Sequence, residues 1–418
     1  MEPSPKSRIL IIVDSLDENT TSGARANAAM VRNMASAFNL EVIHSSNKEL
    51  TISDLTLIAV KEHRYNWRFI LSRSVRLIRR HLKIELSRSF ENIIGFSFTF
   101  LNLAFSFEKK INQIALDQYK LVITLSQGES FLPHYVFLKY PKHHLKWLAY
   151  IHDPYPMACY PKSYAFEGPG TAQKRDFMQA VFHSARFIGF PSLLLSEWMK
   201  KYYSIENQKI RIIPHQLGYN SKQNSNNKSS TLFDKTDFNI LFAGNLLGQR
   251  NPIGLIQAVN QLVKDHPELQ NKIKLYLIGP VSPTHISLLN SMDLTNVVML
   301  KSISFIDSIN HQNRAAVNVI LESEDESSPF LPGKFPHCIA AHKPILLLGP
   351  EISEARRLLG KDYPYFAQPN DFESMVKCLK QLLQNWKLKK SFKFENQLRD
   401  YLSAPNLNKT ISSLMAHD

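Results

Sequence analysis

The sequence predicts an α/β protein made of two doubly wound domains, each with a parallel sheet. Three observations point there. The 418 residues exceed what one ordinary core of ~100–150 residues organises. Short β-branched runs alternate with longer stretches of helical period, the grammar of strand–helix–strand units. The segment 220–236, NSKQNSNNKSSTLFDKT, is almost purely polar and reads as an exposed loop or linker, after which the alternation begins afresh.

Taken in order, residues 8–13 (RILIIV) form the first strand, because an apolar run this short suits a strand buried on both faces. Apolar residues at 3.6 spacing over 23–37 give a helix, and β-branched runs at 40–44, 55–60, 121–125, 145–151, 186–190 and 209–213 give further strands. In the second half, strands at 238–243, 273–279, 296–300, 315–321 and 344–348 alternate with helices at 252–264, 334–341 and 371–385. The expected division is 1–215, 216–390 and a helical tail, 391–418, that packs back on the first domain. In such folds ligands bind beyond the carboxyl ends of strands, so residues just after each strand carry the functional questions.

Composition narrows the classes. Hydrophobic content of 44% and charged content of 21% exclude a mainly disordered or fibrous chain. Only five consecutive apolar residues precede Asp14, too few for a signal-peptide core. The most apolar stretch, residues 93–107, is interrupted by Ser, Thr and Asn and falls short of the ~20 residues that span a bilayer. Cys159, Cys338 and Cys378 are widely spaced and form no CxxC pair, which disfavours a disulfide framework or a structural zinc and fits a reducing, cytoplasmic setting. Fifty basic against 36 acidic residues leave a net charge of +14, so an anionic partner is expected. Within 61–90 nine basic residues meet only two acidic ones, so the excess is concentrated.

Two segments can carry chemistry. FNILFAGNLLGQRNPIGLIQAV, residues 238–259, is a strand followed by Gly244, Asn245, a short loop with Gly248 and Arg250, and a helix opened by Pro252. Such a turn lets backbone approach a phosphate, and Arg250 adds a bidentate fork. It matches neither GxGxxG nor GxxxxGK[ST]. In residues 322–350 an acidic loop leads through Gly333 and Lys334 into a short helix bearing His337. Lys334 can face a diphosphate and His337 a ribose hydroxyl, though a solvated lysine and a core histidine are the plain alternatives.

GNLLGQRNP and, about eighty residues later, SPFLPGKFPHCIAAHKPIL resemble the donor half of a group-1 GT-B glycosyltransferase. KWLAYIHDPYP (146–156) and IRIIPHQLG (210–218) resemble that class's N-domain strand ending in His–Asp and its interdomain strand. The resemblance implies two Rossmann-like domains facing a central cleft, with the acceptor on the N-terminal one and a nucleotide-sugar, UDP- more than GDP-linked, on the other. By position it makes Gly23, Gly244, Asn245, Arg250, Gly333, Lys334 and His337 the nucleotide-sugar site. His152 would then meet the donor sugar, with Asp153 beside it as a catalytic candidate. No resident cofactor or metal is implied, and neither a DxD nor an HExxH motif occurs. The expected enzyme is a metal-independent hexosyltransferase acting on a lipid-linked or polysaccharide precursor.

Two departures qualify this. The family's Glu-x7-Glu pair falls here on Pro329 and His337, which leaves ribose recognition and stereochemistry open. Its paired glycines become Ser22–Gly23, where helix capping by Thr20, Thr21 or Ser22 is an equal explanation. A base, if one is needed, lies among His152, Asp153 and Glu129. A GT-B epimerase, or a nucleotide-sugar-binding subunit without turnover, are the rival functions. Finally, residues 64–83 carry seven basic side chains and no acid. Trp67, Ile70, Leu71, Val75, Ile78 and Leu82 recur at helical spacing with Arg68, Arg76, Arg79, Arg80 and Lys83 largely off that stripe. This predicts either a core-facing helix with a solvated basic face or peripheral binding to an anionic membrane, at the inner face of the cytoplasmic membrane. No RNP or helix-turn-helix pattern accompanies it, so no nucleic-acid partner is expected.

Overall fold

The structure, a computed structural model, describes residues 6–45, 55–83, 85–217, 233–234 and 236–416. The chain divides into two compact units, Met1–Gly218 with Ala404–Asp418, and Tyr219–Ser403. Most of the predicted loop at 220–236 lies outside the described residues.

The first unit is built on a seven-stranded sheet in which every recorded pairing is parallel. In chain order its elements are β1 (Arg8–Val13), α1 (Ser22–Ala35), β2 (Asn39–His44), β3 (Thr56–Ala59), α2 (Trp67–Leu82), α3 (Leu86–Ile94) and α4 (Phe98–Ile111). Next come β4 (Leu121–Leu125), α5 (Leu132–Phe137), β5 (Trp147–Tyr150), α6 (Thr171–Ser184), β6 (Phe187–Phe190), α7 (Leu193–Lys200) and β7 (Ile210–Ile212). The strand order is β3-β2-β1-β4-β5-β6-β7, so the winding reverses between β1 and β4. Alternate residues of β1 serve opposite faces: Leu10 and Ile12 join a core with Phe107, Phe137, Trp147 and Phe182, while Ile9, Ile11 and Val13 pack with Met34 and Leu40. Trp147 Nε1 donates to Thr124 Oγ1 at 2.8 Å, so the largest buried side chain leaves no polar atom unmatched.

The second unit repeats the scheme with β8 (Phe238–Ala243), α8 (Ile253–Asp265), β9 (Ile273–Ile278), α9 (Pro283–Leu289), β10 (Val297–Leu300), α10 (Phe305–Arg314) and β11 (Val317–Leu321). It continues through β12 (Ser327–Ser328), α11 (Phe335–Ala340), β13 (Ile345–Leu348), β14 (Ile352–Ser353), α12 (Glu354–Leu359), β15 (Phe366–Ala367), α13 (Phe372–Lys387) and α14 (Asn396–Tyr401). The main sheet runs β10-β9-β8-β11-β13-β15, reversing between β8 and β11, and β12 pairs with β14 apart from it. One face packs against α8 and α13 through Leu255, Leu262, Leu379 and Leu382, the other against α11, α12 and α14 through Phe335, Ile339, Ala355 and Leu402. The tail expected as one segment is divided: α14 belongs to the second unit, whereas α15 (Ala404–Met415) packs Leu407, Ile411 and Leu414 into the first.

The apolar stretch at 93–107 is no continuous rod. Gly95, at φ +85°, ends α3, and α4 restarts three residues later with Ser97 capping Phe100 N–H, the two helices meeting at 57°. Among the described residues no single helix is long and apolar enough to cross a membrane.

Just beyond α11, His342 holds the left-handed conformation at φ +51°. A Cβ makes that conformation costly, and the His342 Nδ1 is also enclosed without a hydrogen-bond partner. His342→Gly is therefore expected to raise the unfolding free energy by about 0.5–1 kcal/mol, measured by urea denaturation.

Candidate active site

In the second unit the crevice at the sheet reversal is formed by the segments just beyond β8 and β11. Gly244 leaves β8 and Gly279 leaves β9, and a Cβ on Gly279, at φ +139°, would strike the Gly244 carbonyl oxygen. The two strand ends can sit this close only without a side chain there. Gly244 itself lies beside the Lys334 ammonium, where a Cβ would make an ordinary contact at 3.5 Å.

Lys334 stands immediately before α11 and turns back over the sheet. Its Nζ donates to the Val319 carbonyl at 3.2 Å and lies 3.6 Å from the centre of the Phe242 ring. Burial, and behind it the positive field of Arg250, lowers its pKa to about 7 against the opposing influence of Cys338 and Glu322. Arg250 reaches back to the Asn245 carbonyl through Nη1 at 3.4 Å, a weak tie for a guanidinium. Among the described residues neither cation has a carboxylate in an ion pair. Gly248 and Gly333 border open space, Gly333 is exposed, and Asn245 is exposed beside Gly244.

Glu322, which no sequence motif marks, is the residue directly after β11. It is buried, its Oε1 accepts from Ser328 Oγ at 2.9 Å, and Gly349 must lack a side chain because a Cβ would meet its Oε2. Burial pushes its pKa up to about 7, against the lowering influence of Ser353, Ser328 and Arg250. Arg250, Lys334 and Glu322 thus form one electrostatically coupled group at the reversal of the second sheet.

His337 falls on the six-residue α11, edge-on to Phe305 at 5.2 Å. Burial lowers its pKa to about 4, so it is neutral, and its Nδ1 has no hydrogen-bond partner. At the position of the family's second glutamate it offers a single neutral ring nitrogen rather than a carboxylate pair.

The other expected site residues lie in the first unit. Gly23 lies in the first turn of α1, where a Cβ would come 3.0 Å from Gln127 Cγ. Thr21 is the helix cap, its Oγ1 accepting from Ala24 N–H at 3.1 Å and from Gln127 Nε2 at 3.0 Å. Gly23 therefore admits the loop after β4 against α1.

His152 follows β5. Asn27 of α1, fully buried, donates through Nδ2 to the Ser126 carbonyl at 3.2 Å, which turns its amide oxygen onto His152 Nε2 at 2.7 Å. That arrangement fixes the proton on Nε2 and leaves Nδ1 as an acceptor. Burial, together with His215 stacked at 5.3 Å, holds the ring well below its usual pKa, so His152 is a neutral imidazole. Asp153 is partly exposed, and behind burial it and the exposed Glu129 raise the pKa of the Tyr160 phenol.

At the reversal of this sheet, directly after β1, stands Asp14. Both of its carboxylate oxygens are enclosed without a hydrogen-bond partner at bonding distance, and loss of hydration pushes its pKa up to about 6 despite the Ser130 hydroxyl facing it. Asp14 and Glu322 were both within reach of the rule that strand-end residues deserve scrutiny. No motif flagged either, because what singles them out is enclosure.

No protein-family model matches the chain, and no curated protein matches it by sequence. Its likeness is to solved structures. The Anabaena protein Alr3699/HepE, in complex with UDP and glucose, superposes with a TM-score of 0.63 at 8% identity, covering 98% of this chain and 99% of that one. The trehalose-6-phosphate synthase OtsA gives 0.66 at 12% identity and covers 99% of both chains. Sucrose-phosphate synthase from Thermosynechococcus elongatus gives 0.58 at 10% identity over 98% of both. At such identities the likeness concerns fold alone. Two parallel doubly wound sheets of seven and six strands, matched over nearly the whole length, give this chain the GT-B fold.

Proposed function

We propose that the chain is a glycosyltransferase that moves a sugar from a UDP-sugar to a lipid-linked or polysaccharide precursor at the inner face of the cytoplasmic membrane. The observation that carries the donor half is the pair Arg250 and Lys334, two cations in each other's field, neither in an ion pair with a carboxylate among the described residues. Their like charges repel. A diphosphate relieves that repulsion and takes charge-assisted hydrogen bonds from both, and the same contacts stabilise the negative charge that grows on the diphosphate as it leaves. UDP in the HepE complex, and a fluorinated UDP-glucose in an Escherichia coli trehalose-6-phosphate structure of TM-score 0.62, motivate the choice of nucleotide.

The membrane half is supported by α2 and α3. On α2 most of the apolar arc faces solvent, with Trp67, Ile70 and Leu82 exposed by 57%, 62% and 64% and Val75 and Ile78 half-buried, and its buried residue is the polar Ser72, bonded to Thr99 of α4 at 2.8 Å. A core-facing stripe would have the reverse pattern. On α3, Phe90, Ile93 and Ile94 extend the exposed apolar surface, and Arg73, Arg76, Arg79, Arg80 and Lys83 are exposed on α2 and at its end. Arg68 is partly covered, its guanidinium over the Trp67 and Phe105 rings. Exposed apolar side chains flanked by arginines match an anionic interface, where each cation contributes at most ~1 kcal/mol.

Three outcomes are expected. UDP should bind and raise the melting temperature, and Arg250→Ala should weaken its affinity at least about tenfold by calorimetry, since a hydrogen bond to a charged group contributes roughly 1.5–3 kcal/mol. Unchanged affinity removes the donor assignment. The second concerns pH. Lys334 must be protonated to hold an anion, and Glu322 opposes it once ionised, both turning over near pH 7. UDP affinity should therefore fall as pH rises from about 6.5 to 8.5, and Lys334→Met or Glu322→Gln should each flatten that slope. Third, replacing Arg76, Arg79 and Arg80 together by Gln should cut co-sedimentation with phosphatidylglycerol-containing vesicles about tenfold or more. Equal sedimentation would leave the helix as ordinary surface.

A further inference from the structure

The two inner strands of the second sheet part before they end. β8 runs to Ala243 and β11 to Leu321, yet their recorded pairing stops at Leu241 and Asn318. The ammonium of Lys334 stands just past that point. Its Nζ donates to the Val319 carbonyl of β11 at 3.2 Å and lies 3.6 Å from the centre of the Phe242 ring of β8, so each parting strand supplies one contact. Alternation along β8 puts Phe242 on the same side as Phe238 and Ile240, in the core beneath α8 and α13. Phe242 alone of the three sits at the strand's carboxyl end, where a Cβ placed on Gly244 would lie 3.4 Å from the tip of its ring and 3.5 Å from the Lys334 Nζ. Ring and ammonium thus share the space beside Gly244, at the reversal where open parallel sheets bind ligands.

A half-buried ammonium needs something to hold it, and the choice of partner decides what it can still do. A carboxylate would form an ion pair and cancel its charge. Among the described residues Lys334 has no such pair, and Glu322 acts on it only through its field. An aromatic ring attracts a cation through the negative charge of its π face and leaves that charge uncancelled. Of the three N–H donors on Nζ, the Val319 carbonyl takes one. We propose that Phe242 is a positioning residue for the donor: its π face stands in for a counter-ion, holding the Lys334 ammonium in place and charged, with two N–H donors left for the diphosphate. The inference rests on the UDP-sugar reading and adds to it the group that keeps the lysine ready.

The charged and titratable groups around the ammonium are Arg250 beyond β8, Glu322 beyond β11, and His337 and Cys338 on α11. Burial lowers the His337 pKa to about 4 and raises that of the Cys338 thiol to about 11, so neither changes charge near neutral pH. Arg250 stays a cation throughout. Glu322 ionises near pH 7, but it does so whatever ring stands at 242. Lys334 loses its charge as pH rises through about 7, because burial favours the neutral amine. Whatever stabilises the ammonium raises that midpoint, so a weaker π face lowers it, and UDP affinity is then lost at a lower pH.

The test replaces Phe242 of the full chain by phenylalanines carrying one, two and three ring fluorines, which withdraw charge from the π face stepwise and change its size little. UDP dissociation constants are measured by calorimetry from about pH 6 to 8.5, with thermal melting to show that each variant is folded. Affinity at neutral pH should fall with every fluorine, by about fivefold in all for the trifluorinated ring, and the midpoint of its pH dependence should move down by about 0.5. Phe242→Leu, which keeps an apolar side chain and removes the ring, should weaken UDP about tenfold or more. The same series at Phe238, whose ring on the same side of β8 meets Trp386 rather than a cation, should leave UDP affinity unchanged. Affinity independent of fluorine number at 242, or falling as much from 238, overturns the positioning role while leaving the donor reading intact. Failure of the unsubstituted chain to bind UDP overturns both.

Discussion

Burial of a parallel sheet on both faces is the constraint on which the rest of each unit depends. A strand such as β1, with Ile9 to Val13 entirely enclosed, has no place for a charged group between its ends, so ionisable function is pushed to its end. Because connections between parallel strands cross over through helices, the sheet must wind outward from an inner pair, and the helices leave a crevice where the winding reverses. β1 beside β4, and β8 beside β11, are those pairs, and the first residues beyond them include Asp14, Gly244 and Glu322. Topology alone thus brings together residues as distant in sequence as Gly244 and Lys334.

Electrostatics then sets what these ends can do. Lys334, Glu322 and Asp14 are all enclosed, and each has its pKa moved toward neutrality by loss of water. Keeping such groups destabilises the folded state, a cost that the extensive apolar cores offset. The buried histidines are different. His134, His152 and His337 are driven toward the neutral form, which suits hydrogen bonding of one fixed polarity and removes them as cations. The cationic side of the chemistry is left to Arg250 and Lys334.

The α2–α3 surface arises from a separate constraint. α4 is a helix whose inward side, including Asn102, Ser106 and Phe107, is taken up by the first unit's core and by polar contacts to the segment before α2, where Asn66 donates to Asn102 at 2.7 Å. α2 docks on it through polar bonds, which need its Ser72 side and leave the apolar arc unused. Helical periodicity revealed the arc but not its direction, since an amphipathic helix has the same pattern whether its apolar side meets a core or a bilayer.

Sequence alone determined the alternating strands and helices, the restart after residue 217, the residues before and after the inner strands, and through GNLLGQRNP and SPFLPGKFPHCIAAHKPIL the GT-B fold. These are local properties, set by side-chain periodicity and turn chemistry within a few residues. Tertiary structure decided that α15 returns to the first unit while α14 stays with the second, that Gly23 serves packing against Gln127, and that α2 turns its apolar side outward. It also decided which carboxylates matter. Asp14 and Glu322 look in the sequence like any other acidic residue near a strand end, and what distinguishes them is the loss of water around their oxygens. That loss is produced by hairpins and glycines from elsewhere in the chain, so no local window of sequence contains it.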